Sequence, residues 1–369
     1  MKSNLFFVIN TLEGGGAERV LTNLANYFHE KGYRVYIVCL NYAPASYKPS
    51  PGIKVVYLVN RKDSSGFFYR LLYGGMTFFN LLRLLARERP KCVVSFMTSA
   101  NLWTGLTCSI LRIPYLVSER ITPDYTINSF NYIYKCLSYI IYKHAKAIVI
   151  PAKGMIASFK KNRLFRSLNN FKTIHNPVNL FASNFSSQVY PRKYILAVGR
   201  LDPQKGFDIL INAFSKLRDL DIDLLISGEG KERSNIVQLI ESLNLTDRVK
   251  LIGFKNNIQD YYKQAEVFVL SSRNEGYPNA LVEAMSLGCS CIATNCEFGP
   301  SEIIINQDNG ILVEPVNVHE LATAILDLLT NPILKRRISE NAKLINKSNS
   351  LETISLKWEK LILSHGLNI

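Results

Sequence analysis

Paired cysteines, clustered histidines, long uncharged apolar runs and low-complexity tracts are all missing from this chain. Each absence removes a class of protein. The seven cysteines (Cys39, Cys92, Cys108, Cys136, Cys289, Cys291, Cys296) are odd in number and form no Cys-x-x-Cys pair. That speaks against a disulfide framework and against a zinc site, and fits reduced thiols in a cytosolic enzyme. The five histidines share no ligand spacing. No window approaches the ~18 uncharged apolar residues of a membrane span; the nearest, Tyr132 to Ile150, is broken by Lys135, Lys143, His144 and Lys146. The opening MKSNLFFVIN stops at Asn10-Thr11 and enters a glycine cluster with no small-residue cleavage site. It reads as a first strand and not as a signal peptide. No repeat of fixed period points to a solenoid. What is left is a chain of 369 residues, long enough for two domains with separate cores, soluble or resting on a membrane surface.

Acidic residues are scarce in one half only. Residues 1–180 hold 24 Lys and Arg against 7 Asp and Glu, whereas residues 181–369 hold 20 against 22. Basic patches attract nucleic acid, anionic lipid or phosphorylated substrates, and net charge alone does not choose among them. Here the cations are interleaved with aromatics and leucines, as in Phe67-Phe68-Tyr69-Arg70-Leu71-Leu72-Tyr73 and Phe78-Phe79-Asn80-Leu81-Leu82-Arg83. That mixture fits an interfacial surface, where each Lys or Arg adds roughly 1 kcal/mol near anionic lipid. An ordinary helix with a basic solvent face is the plainer alternative.

Short apolar runs alternate with stretches of helical period, the pattern of parallel α/β domains. The first series has strands at 5–9, 35–40, 55–59, 92–96, 115–118 and 147–150. Its helices run from 17 to 31, from about 67 to 89, and from the end of the 115–118 strand to about 145. A polar stretch from Ile174 through Gln188 reads as the interdomain linker. A second series begins at Tyr194. It has strands at 194–198, 223–227, 249–252, 267–271, 290–294 and 311–313, and helices at 207–218, 231–243, 258–264 and 280–287. In doubly wound sheets ligands bind at the carboxyl ends of the strands, so the strand-to-helix turns are where chemistry is sought.

Three turns stand out. Leu12-Glu13-Gly14-Gly15-Gly16-Ala17-Glu18-Arg19 joins the first strand to its helix, where glycines let backbone approach a ligand and free N–H groups attract anions. Arg19 stands where a dinucleotide fingerprint needs its third glycine, so that fingerprint is excluded, and a mere tight turn stays open. In Val198-Gly199-Arg200-Leu201-Asp202-Pro203-Gln204-Lys205-Gly206-Phe207, a guanidinium and an ammonium flank a helix start. They suit a diphosphate, with solvated loop charges as the alternative. The third turn, Ser271 to Met285, places Glu275 in a bend before Gly276 and Glu283 inside an apolar helix. A carboxylate in that second position is costly unless it is hydrogen-bonded, and ribose hydroxyls would satisfy it.

The segment EGYPNALVEAMSLGC, with seven residues between its two glutamates, resembles the signature of the retaining glycosyltransferases grouped as family 4, which share the GT-B fold. The resemblance extends over most of the chain through GGGAERVLTNLA, VSF, VSER, IHNPVN, VGRLDPQKGFDILINAF, ISGEG and GPSEII…NGILVEP. It implies an α/β GT-B architecture of two Rossmann-like domains with parallel sheets facing across a cleft. Residues 1–180 would form a basic, membrane-facing acceptor domain, and 181–345 the nucleotide-sugar domain. A helix within 346–369 would pack back on the first domain.

Residue by residue, the resemblance implies that Arg200 and Lys205 hold the donor diphosphate, Glu275 contacts the donor sugar and Glu283 the ribose. Backbone around Gly276, Tyr277, Pro278, Asn279, Ala280 and Leu281 would cover the phosphates. Gly228 and Phe254 would frame the base, and Gly15 and Gly16 would bind the donor, closing on donor or acceptor from the opposite domain. Some members place a histidine in the first domain facing the reacting carbon. This chain has Ser118-Glu119-Arg120-Ile121-Thr122-Pro123 there, similar to a subgroup that builds bacterial surface glycans, so Glu18, Glu119 and Arg120 are placed on the acceptor side.

No cofactor and no metal are expected. Asp221-Ile222-Asp223 falls before a strand and reads as a solvated loop, not a metal pair. Fixed cations and oriented amides stabilise a leaving nucleoside diphosphate without a metal. The expected reaction is transfer of a hexose or N-acetylhexosamine, with retention, from a UDP-sugar to a polyprenyl-diphosphate-linked glycan. The expected location is the cytoplasmic side of an anionic membrane surface. The same transfer onto a soluble or lipopolysaccharide-core acceptor is the alternative. A nucleic-acid-binding role is remote, since no recognition helix or RNP-like strand is present.

Overall fold

The structure, a computed structural model, describes residues 4–60, 67–178 and 187–365. Three parts of the sequence reading fall outside it: linker residues 179–186, the side chains of Phe67, Phe68 and Arg70, and the terminal residues 366–369. The chain divides into two compact units, one of Met1–Asn176 with Glu352–Ile369 and one of Pro177–Leu351.

The first unit runs β1 (Asn4–Ile9), α1 (Gly16–Glu30), β2 (Arg34–Asn41), β3 (Lys54–Val59), α2 (Phe67–Glu88), β4 (Cys92–Phe96), α3 (Thr98–Leu111), β5 (Tyr115–Ser118), α4 (Tyr132–His144), β6 (Ile148–Ile150), α5 (Met155–Lys161) and β7 (Phe171–Thr173). The second runs β8 (Tyr194–Val198), α6 (Phe207–Phe214), β9 (Asp223–Ser227), α7 (Arg233–Ser242), β10 (Val249–Leu251), α8 (Ile258–Gln264), β11 (Val267–Leu270), α9 (Asn279–Ser286), β12 (Cys291–Thr294), α10 (Pro300–Ile303), β13 (Ile311–Val313), α11 (Val318–Thr330), α12 (Pro332–Ala342) and α13 (Ile345–Ser348). The last helix, α14 (Leu351–Ser364), returns to the first unit.

Every named strand pairing is parallel. The orders are β3-β2-β1-β4-β5-β6-β7 and β10-β9-β8-β11-β12-β13. Central strands of such sheets are covered on both faces, which is why β1, β4, β8 and β11 are mostly apolar and buried along nearly all of their length. Right-handed crossovers place α1 on one face of the first sheet and α2 to α5 on the other; α2, α3 and α4 pack side by side. On the α1 face, Leu21, Leu24 and Phe28 share a core with Phe7, Ile37 and Phe96, and α14 adds Ile354, Trp358 and Ile362. The Trp358 and Phe96 rings stack with centroids 5.6 Å apart. Helix starts follow from local chemistry. The Asn131 and Asn331 side chains accept from the amides of Tyr134 and Leu334, and Asn317 and Glu320 cap α11 reciprocally.

The structure departs from the sequence reading in several places, and β7 (Phe171–Thr173) and α5 (Met155–Lys161) are among the elements it adds. Helix α3 was not anticipated. Residues 119–131 are not helical throughout; two short 3₁₀ turns, Pro123–Tyr125 and Ile127–Ser129, precede α4. Asp223 is not solvated, because it opens β9 at 1% exposure and accepts 2.7 Å from Tyr190 Oη beside an Arg192 ion pair at 3.2 Å.

Candidate functional site

In the second sheet the strand order reverses between β8 and β11, and the loops leaving these two strands carry the charged residues singled out above. Lys205 Nζ donates 2.6 Å to Glu275 Oε1, with side chains only 17% and 6% exposed. Ser272 Oγ donates to the same oxygen at 2.6 Å. An ammonium and a carboxylate are thus fixed together at the place where doubly wound sheets bind ligands.

The two loops are also lashed together away from this pair. Arg273 N donates to Gln204 O at 2.8 Å, Gln204 Nε2 to Asn274 O at 2.9 Å and Ser271 Oγ to Lys205 O at 3.0 Å. The Arg273 guanidinium grips both oxygens of Asp208, at 2.8 and 2.6 Å. That fork holds the Asp208 carboxyl below its ordinary range and raises Arg273 in turn. The approach is so close that position 206 must be glycine. Its φ is +62°, and a side chain there would collide with the carbonyl of Ser271.

Glu275 is followed by Gly276 and the buried Tyr277, whose hydroxyl accepts from Asn349 Nδ2. The hydroxyl is pushed above its usual range by burial. Pro278 then precedes α9, whose first turn has no side-chain cap and includes Asn279, Ala280 and Leu281. Glu283, 7% exposed within α9, accepts from Tyr262 Oη at 3.4 Å. Arg200 lies in the β8 loop with a 74% exposed side chain, 3.3 Å from Asp202. Gly228 ends β9 with φ +143°, tight against the carbonyl of Gly199, and Phe254 after β10 is 77% exposed. The structure therefore gathers Lys205, Glu275 and the start of α9, with Gly228 packed on the β8 loop, while Arg200 and Phe254 stand out in solvent. Sequence reasoning passed over Ser272, Tyr262 and the Arg273–Asp208 fork. Ser272 was visible as a hydroxyl three residues before Glu275; the others come from distant segments and left no local signal.

In the first unit, α1 starts at Gly16 with Gly15 as its extended N-cap and no side-chain cap bond. The Glu18 carboxylate folds against Gly15 and is raised above its ordinary pKa, by burial first and by Glu13 in addition. Glu119, placed on the acceptor side by the resemblance, is fully buried. It accepts from Thr98 Oγ1 and Asn101 Nδ2, each at 2.8 Å, and from Tyr142 Oη. Burial raises its pKa while these donors pull it down. Its visible work is to tie the end of β5 to the start of α3 and to α4, beside Met97 at φ +78°. The Arg120 guanidinium lies 4.7 Å from the Phe96 ring centroid and 5.7 Å from that of Trp358, with Nη1 donating to Asn176. Desolvation lowers its pKa to about 9. Among the described residues no group of three or more His, Cys, Asp and Glu is arranged to hold a metal ion.

Two family models account for most of the chain: Glycosyltransferase Family 4 over residues 14–180 and Glycosyl transferases group 1 over residues 183–345. The chain is a glycosyltransferase of group 1/family 4 type. An uncharacterized glycosyltransferase of Haemophilus influenzae is 27% identical over 365 residues, covering 98% of this chain and 100% of the relative. The N-acetylgalactosamine-N,N'-diacetylbacillosaminyl-diphospho-undecaprenol 4-alpha-N-acetylgalactosaminyltransferase of Campylobacter jejuni is 28% identical over 344 residues, covering 91% and 92%. Among solved structures, Anabaena HepE in complex with UDP superposes with a TM-score of 0.81 at 19% identity, covering 99% and 100%. This glycosyltransferase thus shares the GT-B fold, and its two parallel sheets are the two Rossmann-like halves of that architecture. Among its described residues, no helix is long and apolar enough to cross a membrane.

Proposed function

We propose that this glycosyltransferase moves a hexose or N-acetylhexosamine from a UDP-sugar to a polyprenyl-diphosphate-linked glycan, with retention, at the cytoplasmic face of the cell membrane. The observation that carries the donor half is the buried Lys205–Glu275 pair beside the uncapped start of α9. Lys205 and Arg200 face the developing charge on the departing diphosphate, and the α9 amides add to it. Glu275 orients the sugar and supports positive charge on its ring, and Glu283 holds the ribose. The acceptor hydroxyl attacks from the face the phosphate leaves and hands its proton to a phosphate oxygen. Gly15 and Gly16 serve the donor side and Glu18 and Arg120 the acceptor side, with Glu119 acting through the elements it ties together. Support for UDP comes from the UDP-bound HepE relative. Support for the acceptor comes from the Campylobacter relative, named for transfer to a diphospho-undecaprenol glycan.

A thermal-shift panel of nucleotide sugars, followed by transfer assays on a polyprenyl-diphosphate glycan, tests this reading. A melting rise with one UDP-sugar is expected, since a ligand of the native state stabilises it by mass action. The product should keep the donor's anomeric configuration. No shift with any nucleotide sugar removes the donor assignment, an inverted product removes retention, and transfer only to soluble sugars removes the acceptor.

A further inference from the structure

Large apolar side chains are unevenly exposed on the first unit. The outward stripe of α2 reads Leu72, Met76, Phe79, Arg83, Arg87, at helical spacing, and all five are exposed. Its first three residues are apolar and its last two are cations. Helix α4 repeats the order: Tyr132, Ile133 and Tyr134 are exposed in its first turn, Lys143 and His144 in its last. Leu72 is 60% exposed, Phe79 66% and Ile133 77%. Both helices start at the carboxyl edge of the sheet and run to the opposite edge, with α3 packed between them. Their exposed apolar first turns therefore lie along one edge and the cations of their last turns along the other, with exposed Ile140 between the two on α4.

Residues 67–176, which hold this helix layer, contain 16 Lys and Arg against 3 Asp and Glu. Exposed apolar side chains gathered at one edge mark an interaction site, and this charge calls for an anionic partner. Single-stranded nucleic acid would want cations mixed among stacking aromatics; along the exposed stripe of α2 the apolar residues come first and the cations follow. At ~1.5 Å of rise per residue, Arg83 sits about 6 Å behind Phe79 and about 16 Å behind Leu72. That ordering matches a bilayer entered tip-first, with apolar ends at the acyl boundary and cations among the headgroups.

We infer that the carboxyl-edge ends of α2 and α4 are a membrane-docking face, seated in an anionic lipid bilayer through Leu72, Phe79, Tyr132 and Ile133 and held by the cations behind them. The inference deepens the lipid-linked acceptor proposed above, because it brings the ligand-binding edge of the first sheet to the surface from which such an acceptor projects.

The test is flotation of the full chain with phosphatidylcholine vesicles, with and without phosphatidylglycerol, in the absence of donor and acceptor. Its failure is thereby separate from failure of the transfer reaction. Wild type should float with the anionic vesicles and less so in salt. The double variant Leu72→Glu/Ile133→Glu should lose at least about tenfold in partitioning per residue changed, and Arg83→Gln about fivefold. Folding, read by circular dichroism, should be unchanged. If the double variant misfolds, Ile133→Trp decides: quenching of its emission by brominated anionic lipid is expected, and its absence overturns the inference. Wild type that ignores anionic vesicles, a double variant that floats undiminished, or an apolar edge that instead drives self-association would each overturn it.

Discussion

Removing Lys205 perturbs stability and chemistry in ways the geometry separates. Its ammonium is 2.6 Å from Glu275, and the two side chains are 17% and 6% exposed. Breaking a buried ion pair by deleting one partner costs about 3–5 kcal/mol, because the survivor is left charged in a poorly solvating place. Lys205 keeps some contact with water and Ser272 still donates to Glu275, so Lys205→Met should cost less than a fully buried pair, about 2–3 kcal/mol. In a unit of this size each kcal/mol moves the melting temperature by about 2–4 °C, which puts the expected drop at about 5–10 °C. Lys205→Met/Glu275→Gln removes the stranded charge while keeping an acceptor for Ser272, and should recover most of that loss. Turnover behaves differently. A fixed cation facing a leaving diphosphate contributes about 10²–10³-fold, and the double variant does not restore it. Differential scanning fluorimetry and steady-state transfer assays on the two variants and wild type make the comparison. A Lys205→Met enzyme keeping more than a tenth of wild-type turnover would refute the catalytic assignment, and a double variant no more stable than the single one would refute the buried-pair reasoning.

Glu283→Ala should abolish most of the melting rise produced by UDP while leaving the ligand-free protein folded; an unchanged rise would remove Glu283 from the ribose. Gly228→Ala forces a side chain into the Gly199 carbonyl at φ +143° and should cost about 3 kcal/mol or more, seen as loss of soluble protein or a depressed denaturant midpoint. Trp358→Ala empties a fully buried position against Phe96 and should cost about 3–5 kcal/mol in urea unfolding. Glu119, its pKa raised above 4.5 by burial, binds its proton more tightly folded than unfolded. Wild type should therefore lose stability relative to Glu119→Gln as pH climbs above 4.5, and paired melts across pH check the sign.

Turns that concentrate their chemistry in consecutive residues were readable from sequence, and features assembled from distant segments were not. The β8 and β11 loops could be placed because a strand run, a glycine and a charge follow one another directly. Their mutual lashing could not, because Arg273 and Asp208 lie far apart in the chain and nothing in either neighbourhood names the other. Helix α3 escaped for a different reason. Its segment, TSANLWTGLTCSIL, packs against the sheet and against α2 and α4 and buries Thr98, Asn101, Thr104 and Thr107, so its apolar residues do not mark the buried face at helical spacing. The 119–131 stretch misled in the opposite direction, since apolar residues of the following helix lent their period to a loop whose Pro123 and Thr122 favour turns. Asp223 looked solvated because its partners, Tyr190 and Arg192, lie more than thirty residues before it and only the fold brings them alongside.

The return of α14 to the first unit sets an order of events at the ribosome. Trp358, Ile354 and Ile362 complete a core whose other members include Phe7, Phe28 and Phe96, yet the whole of Pro177–Leu351 is threaded between them. At ~5–20 residues per second, the earlier part of the first unit waits roughly 10–35 s for its final helix while the second is being made. During that interval the apolar groove meant for Trp358 stands open to chaperones or to neighbouring nascent chains. A premature stop just before α14 would therefore injure the part of the protein synthesised first, and leave the part synthesised last with its own core entire.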